Sequence, residues 1–120
     1  MATILLIEDD EPVRCMLRET LESAGHMVVE SKNGCEGVDL YRARPTDLVI
    51  CDLVMPEKGG ITVIRELTND FPALKVITMS GFTREVGPTT LEFTKQLGAV
   101  CALTKPFELS EMLEAVQNAL

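Results

Sequence analysis

The side chains able to do chemistry in this chain stand at the ends of apolar runs. Glu8, Asp9 and Asp10 follow Ile4-Leu5-Leu6-Ile7, and Asp52 follows Leu48-Val49-Ile50-Cys51. Ser80 follows Val76-Ile77-Thr78-Met79, and Lys105 comes just after Leu103-Thr104 and before Pro106. Two carboxylates about 5 Å apart repel by roughly 3 kcal/mol at an effective dielectric of about 20, and a third multiplies the cost. A fold that gathers these acids must offset the repulsion with a cation or with proton uptake. Hard carboxylate oxygens favour an ion of the magnesium type, which commonly bridges protein carboxylates and phosphoryl oxygens. Lys105 adds a fixed positive charge and Ser80 a hydroxyl donor. A carboxylate attacking phosphorus in that setting forms an acyl phosphate, with metal, amine and hydroxyl stabilising the charge on the transferring group.

Those residues need a scaffold that delivers them to one edge. The short continuous apolar runs at 4–7, 48–51, 76–79 and 99–103 read as strands buried on both faces, and Met27-Val28-Val29 reads as another. Between them lie helical spacings. Val13, Met16, Leu17, Thr20, Leu21 and Ala24 form one stripe, with Pro12 suited to its first turn and Gly25 to its end. A second helix spans about Gly34 to Arg42 and stops before Pro45. A third follows Gly59-Gly60, carries Ile61, Ile64 and Leu67, and closes at Pro72. A fourth is expected near Pro88 to Leu97, and a fifth begins with Ser110 at or near its N-cap. Strands alternating with helices imply a parallel sheet covered on both faces, whose ligands bind beyond the carboxyl ends of the strands. Four of those five ends carry the groups named above.

Composition narrows the function. At 120 residues the chain has the length of one domain, taken as residues 1–120. Its formal charge of −8 disfavours direct nucleic-acid and membrane binding. Without tryptophan, and with four phenylalanines and one tyrosine, it is poorly supplied for base stacking. No apolar run reaches the length of a membrane span, and no signal peptide is visible at the start. Cys15, Cys35, Cys51 and Cys101 are widely spaced, with no paired motif, and read as reduced, buried thiols of a cytoplasmic protein.

Taken in order, Ile4 to Pro12, Asp52-Leu53-Val54-Met55-Pro56 with Gly59-Gly60, Ser80-Gly81 and Lys105-Pro106-Phe107 resemble the receiver domain of bacterial two-component response regulators, over essentially the whole chain. The resemblance implies a flavodoxin-like, doubly wound α/β fold, a five-stranded parallel sheet of order 2-1-3-4-5 with five helices. It implies Asp52 as phosphoacceptor, Asp9 as a direct magnesium ligand, and Glu8 holding the ion through water. Val54 would add its backbone carbonyl to the metal site. Ser80 would hydrogen-bond the phosphoryl group, and Lys105 would pair with that group or with Asp52. Asp10 is a secondary candidate, and the Lys105–Pro106 peptide is expected to be cis. The implied partners are a sensor histidine kinase or phosphotransfer protein as donor, and an output domain or effector as recipient of the switch. The only reactions expected are the phosphorylation and dephosphorylation of its own aspartate, so the chain is not read as an enzyme.

The chain departs from the family pattern in three places. Ala102 stands where an aromatic switch residue is common. The stretch from Ser80 to Lys105 is longer than typical, with the excess placed at 82–88. Val54 and Phe82, two residues after Asp52 and Ser80, are apolar where they would border the path of an attacking water. Other groups read as structural: His26 in a turn, Tyr41 packed under the second helix, Lys58 as a solvated loop charge. A magnesium-dependent phosphatase is an alternative, but Val54 stands where such enzymes often carry a second aspartate. A scaffolding pseudo-receiver is argued against by the intact acids and lysine. Flavin binding lacks a serine- and threonine-rich loop after the first strand.

Overall fold

The computed structural model describes residues 2–53, 55, 58–81 and 98–120. Five strands, β1 (Thr3–Ile7), β2 (Met27–Ser31), β3 (Leu48–Asp52), β4 (Val76–Gly81) and β5 (Ala99–Lys105), form one parallel sheet in the order β2-β1-β3-β4-β5. Four helices are described: α1 (Glu11–Ser23), α2 (Gly34–Ala43), α3 (Gly60–Asp70) and α4 (Leu109–Ala119). The helix expected near 88–97 and the loop at 82–88 lie outside the described residues.

Alternation along the strands builds two cores. Leu5, Ile7, Val49 and Cys51 face α2 and α3, where they meet Val38, Tyr41, Val63, Ile64 and Leu67. Ile4, Leu6, Leu48, Ile50, Ile77 and Met79 face the other way, onto Leu17 and Leu21 of α1 and Met112 and Val116 of α4. Both faces are covered, which is why the strands read as unbroken apolar runs. Tyr41 packs edge-on against Phe71, ring centroids 5.0 Å apart, in line with its structural reading.

Polar residues set the helix ends. The Asp10 carboxylate accepts the Val13 N–H at 3.4 Å and caps α1. The Asn33 side chain accepts the Glu36 N–H at 2.8 Å and caps α2. At α4 the cap is Glu108, not Ser110. Glu108 and Glu111 each accept the other's backbone N–H, and this reciprocal arrangement leaves Ser110 inside the helix, its hydroxyl 3.4 Å from the Glu108 carboxylate. β2 also runs two residues past its apolar portion, because the ladder to β1 continues through Glu30 and Ser31. Gly25 and Gly98 adopt φ of 95° and 120°, left-handed turns that open the way into β2 and β5. No described helix is long and apolar enough to cross a membrane.

Candidate functional site

The same period-two alternation that builds the α1/α4 core carries the reactive groups. Ile4 and Leu6 are followed on their face by Glu8, Leu48 and Ile50 by Asp52, and Cys101 and Leu103 by Lys105. For β5 this depends on a register shift between Val76 and Ile77, so that Ile77 pairs with Cys101 rather than Val100. Shifting by one residue exchanges the faces of a strand, and here it turns Lys105 toward the acids.

Lys105 Nζ lies 3.1 Å from Glu8 Oε2 and 3.2 Å from Asp52 Oδ2. Glu8 and Asp52 are buried, at 1% and 5% exposure, and the lysine brings positive charge to both carboxylates. Glu8 is also held by the Asp10 N–H, 3.3 Å from its Oε1, and by its own N–H, which donates to the Ser31 carbonyl at 3.0 Å. Burial pushes the Glu8 carboxyl up to about 7; the neighbouring Asp52 charge adds to the rise and Lys105 opposes it. Burial alone would lower the Lys105 pKa, but Asp52 and Glu8 outweigh it and hold the ammonium above its ordinary value. The thiol of Cys51 is raised, first by burial and then by Asp52, and is inert as a nucleophile.

Asp9 completes an acidic cluster. One carboxylate oxygen from each of Glu8, Asp9 and Asp52 lies within 4.8 Å of the others. The donor set is entirely oxygen, two members are buried, and exposed Asp9 leaves a side open to water. These are the requirements of a hard divalent ion that keeps part of its hydration. Ser80 is buried at the same edge, one residue past Met79, which pairs with Asp52 across β3 and β4. The Lys105–Pro106 peptide is cis. Val54 and Phe82 lie outside the described residues.

Several expectations are revised. Asp10 stands apart from the cluster and caps α1. Lys58 is not a solvated charge: it lies 3.0 and 2.8 Å from the two Glu66 carboxylate oxygens on α3. Cys35 is exposed, and Cys15 and Cys101 are half-buried, so only Cys51 behaves as a fully buried thiol. His26 has a structural task, its Nδ1 accepting the Ala2 N–H at 3.2 Å. Sequence reasoning missed Arg14, whose Nη1 donates to the Glu8 carbonyl at 2.9 Å. The available signal was a cation in the first turns of a helix, against the dipole.

Comparison with known proteins agrees with this geometry. The response regulator receiver domain family matches residues 4–117. The chain is 34% identical over 121 residues to the sensor kinase CckA of Brucella abortus, covering 99% of this chain but 12% of that protein. It is 34% identical over 122 residues to the protein PilH of Pseudomonas aeruginosa, covering 100% of this chain and 98% of PilH. A crystal structure of a response regulator receiver domain protein from Clostridium thermocellum superposes with a TM-score of 0.90 at 26% identity, over 99% of this chain and 94% of that one. With strand order, acidic edge and bridging lysine all in place, the chain belongs to the response regulator receiver domain family, the phosphoacceptor module of two-component signalling.

Proposed function

We propose that Asp52 is the phosphoacceptor of this receiver, that Glu8 and Asp9 with Asp52 hold Mg2+, and that Ser80 and Lys105 stabilise the transferred group. The observation that carries the assignment is the single ammonium of Lys105 within hydrogen-bonding reach of both Glu8 and Asp52. An Asp52 oxygen attacks the phosphorus of a phosphohistidine on a sensor kinase or phosphotransfer protein. The new O–P bond forms as the N–P bond breaks, and the imidazole keeps the bonding pair and takes up a proton. A bound Mg2+ supplies positive charge to the phosphoryl oxygens. Lys105 keeps its proton throughout, because the two acids raise its pKa, and remains a fixed cation for the product. Asp9, exposed at the rim, and Glu8, buried beneath, complete the acidic cradle.

On this reading residues 1–120 form one receiver domain that catalyses only the loading and unloading of its own aspartate. Its output is a shift in conformational population read by an output domain or effector. A net charge of −8 supports protein partners over direct contact with nucleic acid or anionic lipid. The four free cysteines support a reducing, cytoplasmic setting.

Mass spectrometry after treatment with acetyl phosphate and Mg2+ tests the assignment. Wild type gains one phosphoryl group and Asp52→Asn gains none. A phosphoryl group retained by Asp52→Asn would place the acceptor elsewhere.

A further inference from the structure

We propose that Arg14 is a positioning residue for the divalent-cation site, acting by fixing the peptide that joins Glu8 to Asp9. The inference rests on the reading of Glu8, Asp9 and Asp52 as that site. Its starting point is Asp9. Among the described residues no hydrogen bond or ion pair holds the Asp9 side chain, which is exposed. Its position is therefore set by the backbone that delivers it.

That backbone leaves the sheet at Glu8. The Glu8 N–H still donates to the Ser31 carbonyl at 3.0 Å, as one more rung beside β2. The Glu8 carbonyl instead accepts from Arg14 Nη1 at 2.9 Å. Carbonyl and following N–H share one rigid plane, so holding the oxygen of Glu8 sets the direction in which the chain enters Asp9. The guanidinium is itself held. Its Nε lies 3.5 Å from Glu30 Oε1, and its side chain is only 16% exposed. Glu30 sits on β2 opposite Leu6 and also takes Arg18 Nη1 at 3.0 Å. A brace therefore runs from β2 through Glu30 and Arg14 to the turn that carries the acids.

Charge placement separates this role from a general electrostatic one. A cation in the first turns of α1 opposes the helix dipole, so local helix preference does not account for Arg14. Its charge would also repel a divalent ion in the acidic cluster. If Arg14 acted through charge alone, removing it would tighten metal binding. If it acts by orienting the Glu8–Asp9 peptide, removing it weakens metal binding, despite the lost repulsion. Metal ligands held by an outer partner commonly lose roughly tenfold or more in affinity when that partner is removed.

The test is calorimetric titration of the metal-free protein with Mg2+, using wild type, Arg14→Met, Arg14→Lys and Arg18→Met. Arg14→Met is expected to bind Mg2+ roughly tenfold more weakly. It should raise the Mg2+ concentration for half-maximal acetyl phosphate labelling by the same factor, with the rate at saturating Mg2+ within about twofold of wild type. Arg14→Lys, which keeps a donor for the Glu8 carbonyl, should recover part of the affinity. Arg18→Met removes the other cation on Glu30 without touching Glu8 and should bind as wild type does. Should Arg14→Met not fold, Arg14→Gln removes the same charge and reach and is held to the same expectation. Wild-type or tighter Mg2+ binding by the neutral variant would overturn the positioning role. Failure of the wild type itself to bind Mg2+ would overturn the site assignment instead.

Discussion

Gly60 packs directly against the backbone that presents Asp52. A β-carbon at residue 60 would collide with the Asp52 carbonyl oxygen and come within 2.7 Å of Leu53 Cα. The Gly60 N–H also donates to the Leu53 carbonyl at 3.1 Å, so the start of α3 is closed onto the end of β3. Backbone cannot yield as a flexible side chain would. Gly60→Ala should therefore destabilise the fold by about 1–3 kcal/mol, the usual cost of overpacking. It should also slow acetyl phosphate labelling, because the displaced segment carries Asp52, the acceptor proposed above. Urea unfolding and labelling rates check both, and a variant with wild-type stability would show that the contact relaxes freely.

Lys105 offers a second prediction. Lys105→Met keeps the stem and removes the only cation within reach of both Glu8 and Asp52 among the described residues. Removing a charged donor aimed at a transferring group commonly costs roughly 10²-fold or more in rate. Labelling by acetyl phosphate should fall by about that factor at saturating Mg2+. Metal affinity should move the other way, since a cation that competes for the Glu8 and Asp52 carboxylates has been removed. Tighter Mg2+ binding with slower labelling separates the catalytic charge from a merely structural one. Unchanged labelling would remove Lys105 from the transfer step.

The raised Glu8 pKa gives a pH prediction for the metal-free protein. Its carboxyl titrates at about 7 in the fold against an ordinary 4.5. Between those values the folded chain holds a proton that the unfolded chain has lost, so stability falls as pH rises. The loss begins above the unfolded pKa and is complete above the folded one, and is at most about 3 kcal/mol. The urea midpoint should therefore drop between about pH 5 and about pH 8. Glu8→Gln should flatten that slope. So should Mg2+, which binds the deprotonated form and displaces the proton. A midpoint that rises over this range in metal-free wild type would contradict the assignment.

Much of this was legible in the sequence because burial on both faces leaves a plain signal. Ile4 to Ile7, Leu48 to Cys51 and Val76 to Met79 are unbroken apolar runs, and their ends carry the acids and the hydroxyl. What could not be read was pairing. The shift that matches Ile77 with Cys101 is a property of two strands together, and it decides which way Lys105 points. The same holds for Glu108 over Ser110 at the start of α4. A serine is the better cap in isolation, but the reciprocal Glu108–Glu111 arrangement satisfies two backbone donors at once. The contacts of Lys58, read as a solvated charge, and of Arg14, which was missed, escape the sequence for a related reason. Their partners, Glu66 and the Glu8 carbonyl, are brought to them by helix and sheet packing, not by spacing along the chain.

The last prediction concerns how long the phosphoryl group persists. Hydrolysis of an acyl phosphate needs a water positioned for attack on phosphorus, and a polar neighbour can hold one. Val54 and Phe82 stand two residues after Asp52 and Ser80, at places that border such a water in the receiver family, and both are apolar. From the resemblance alone, apolar residues at those two sequence positions are expected to exclude an attacking water. Val54→Asn should therefore shorten the lifetime of phospho-Asp52 while leaving its rate of formation near that of wild type. Dephosphorylation followed by intact-mass measurement after removal of acetyl phosphate gives the comparison. A wild-type lifetime no longer than that of the asparagine variant would mean that water reaches the phosphoryl group by another path.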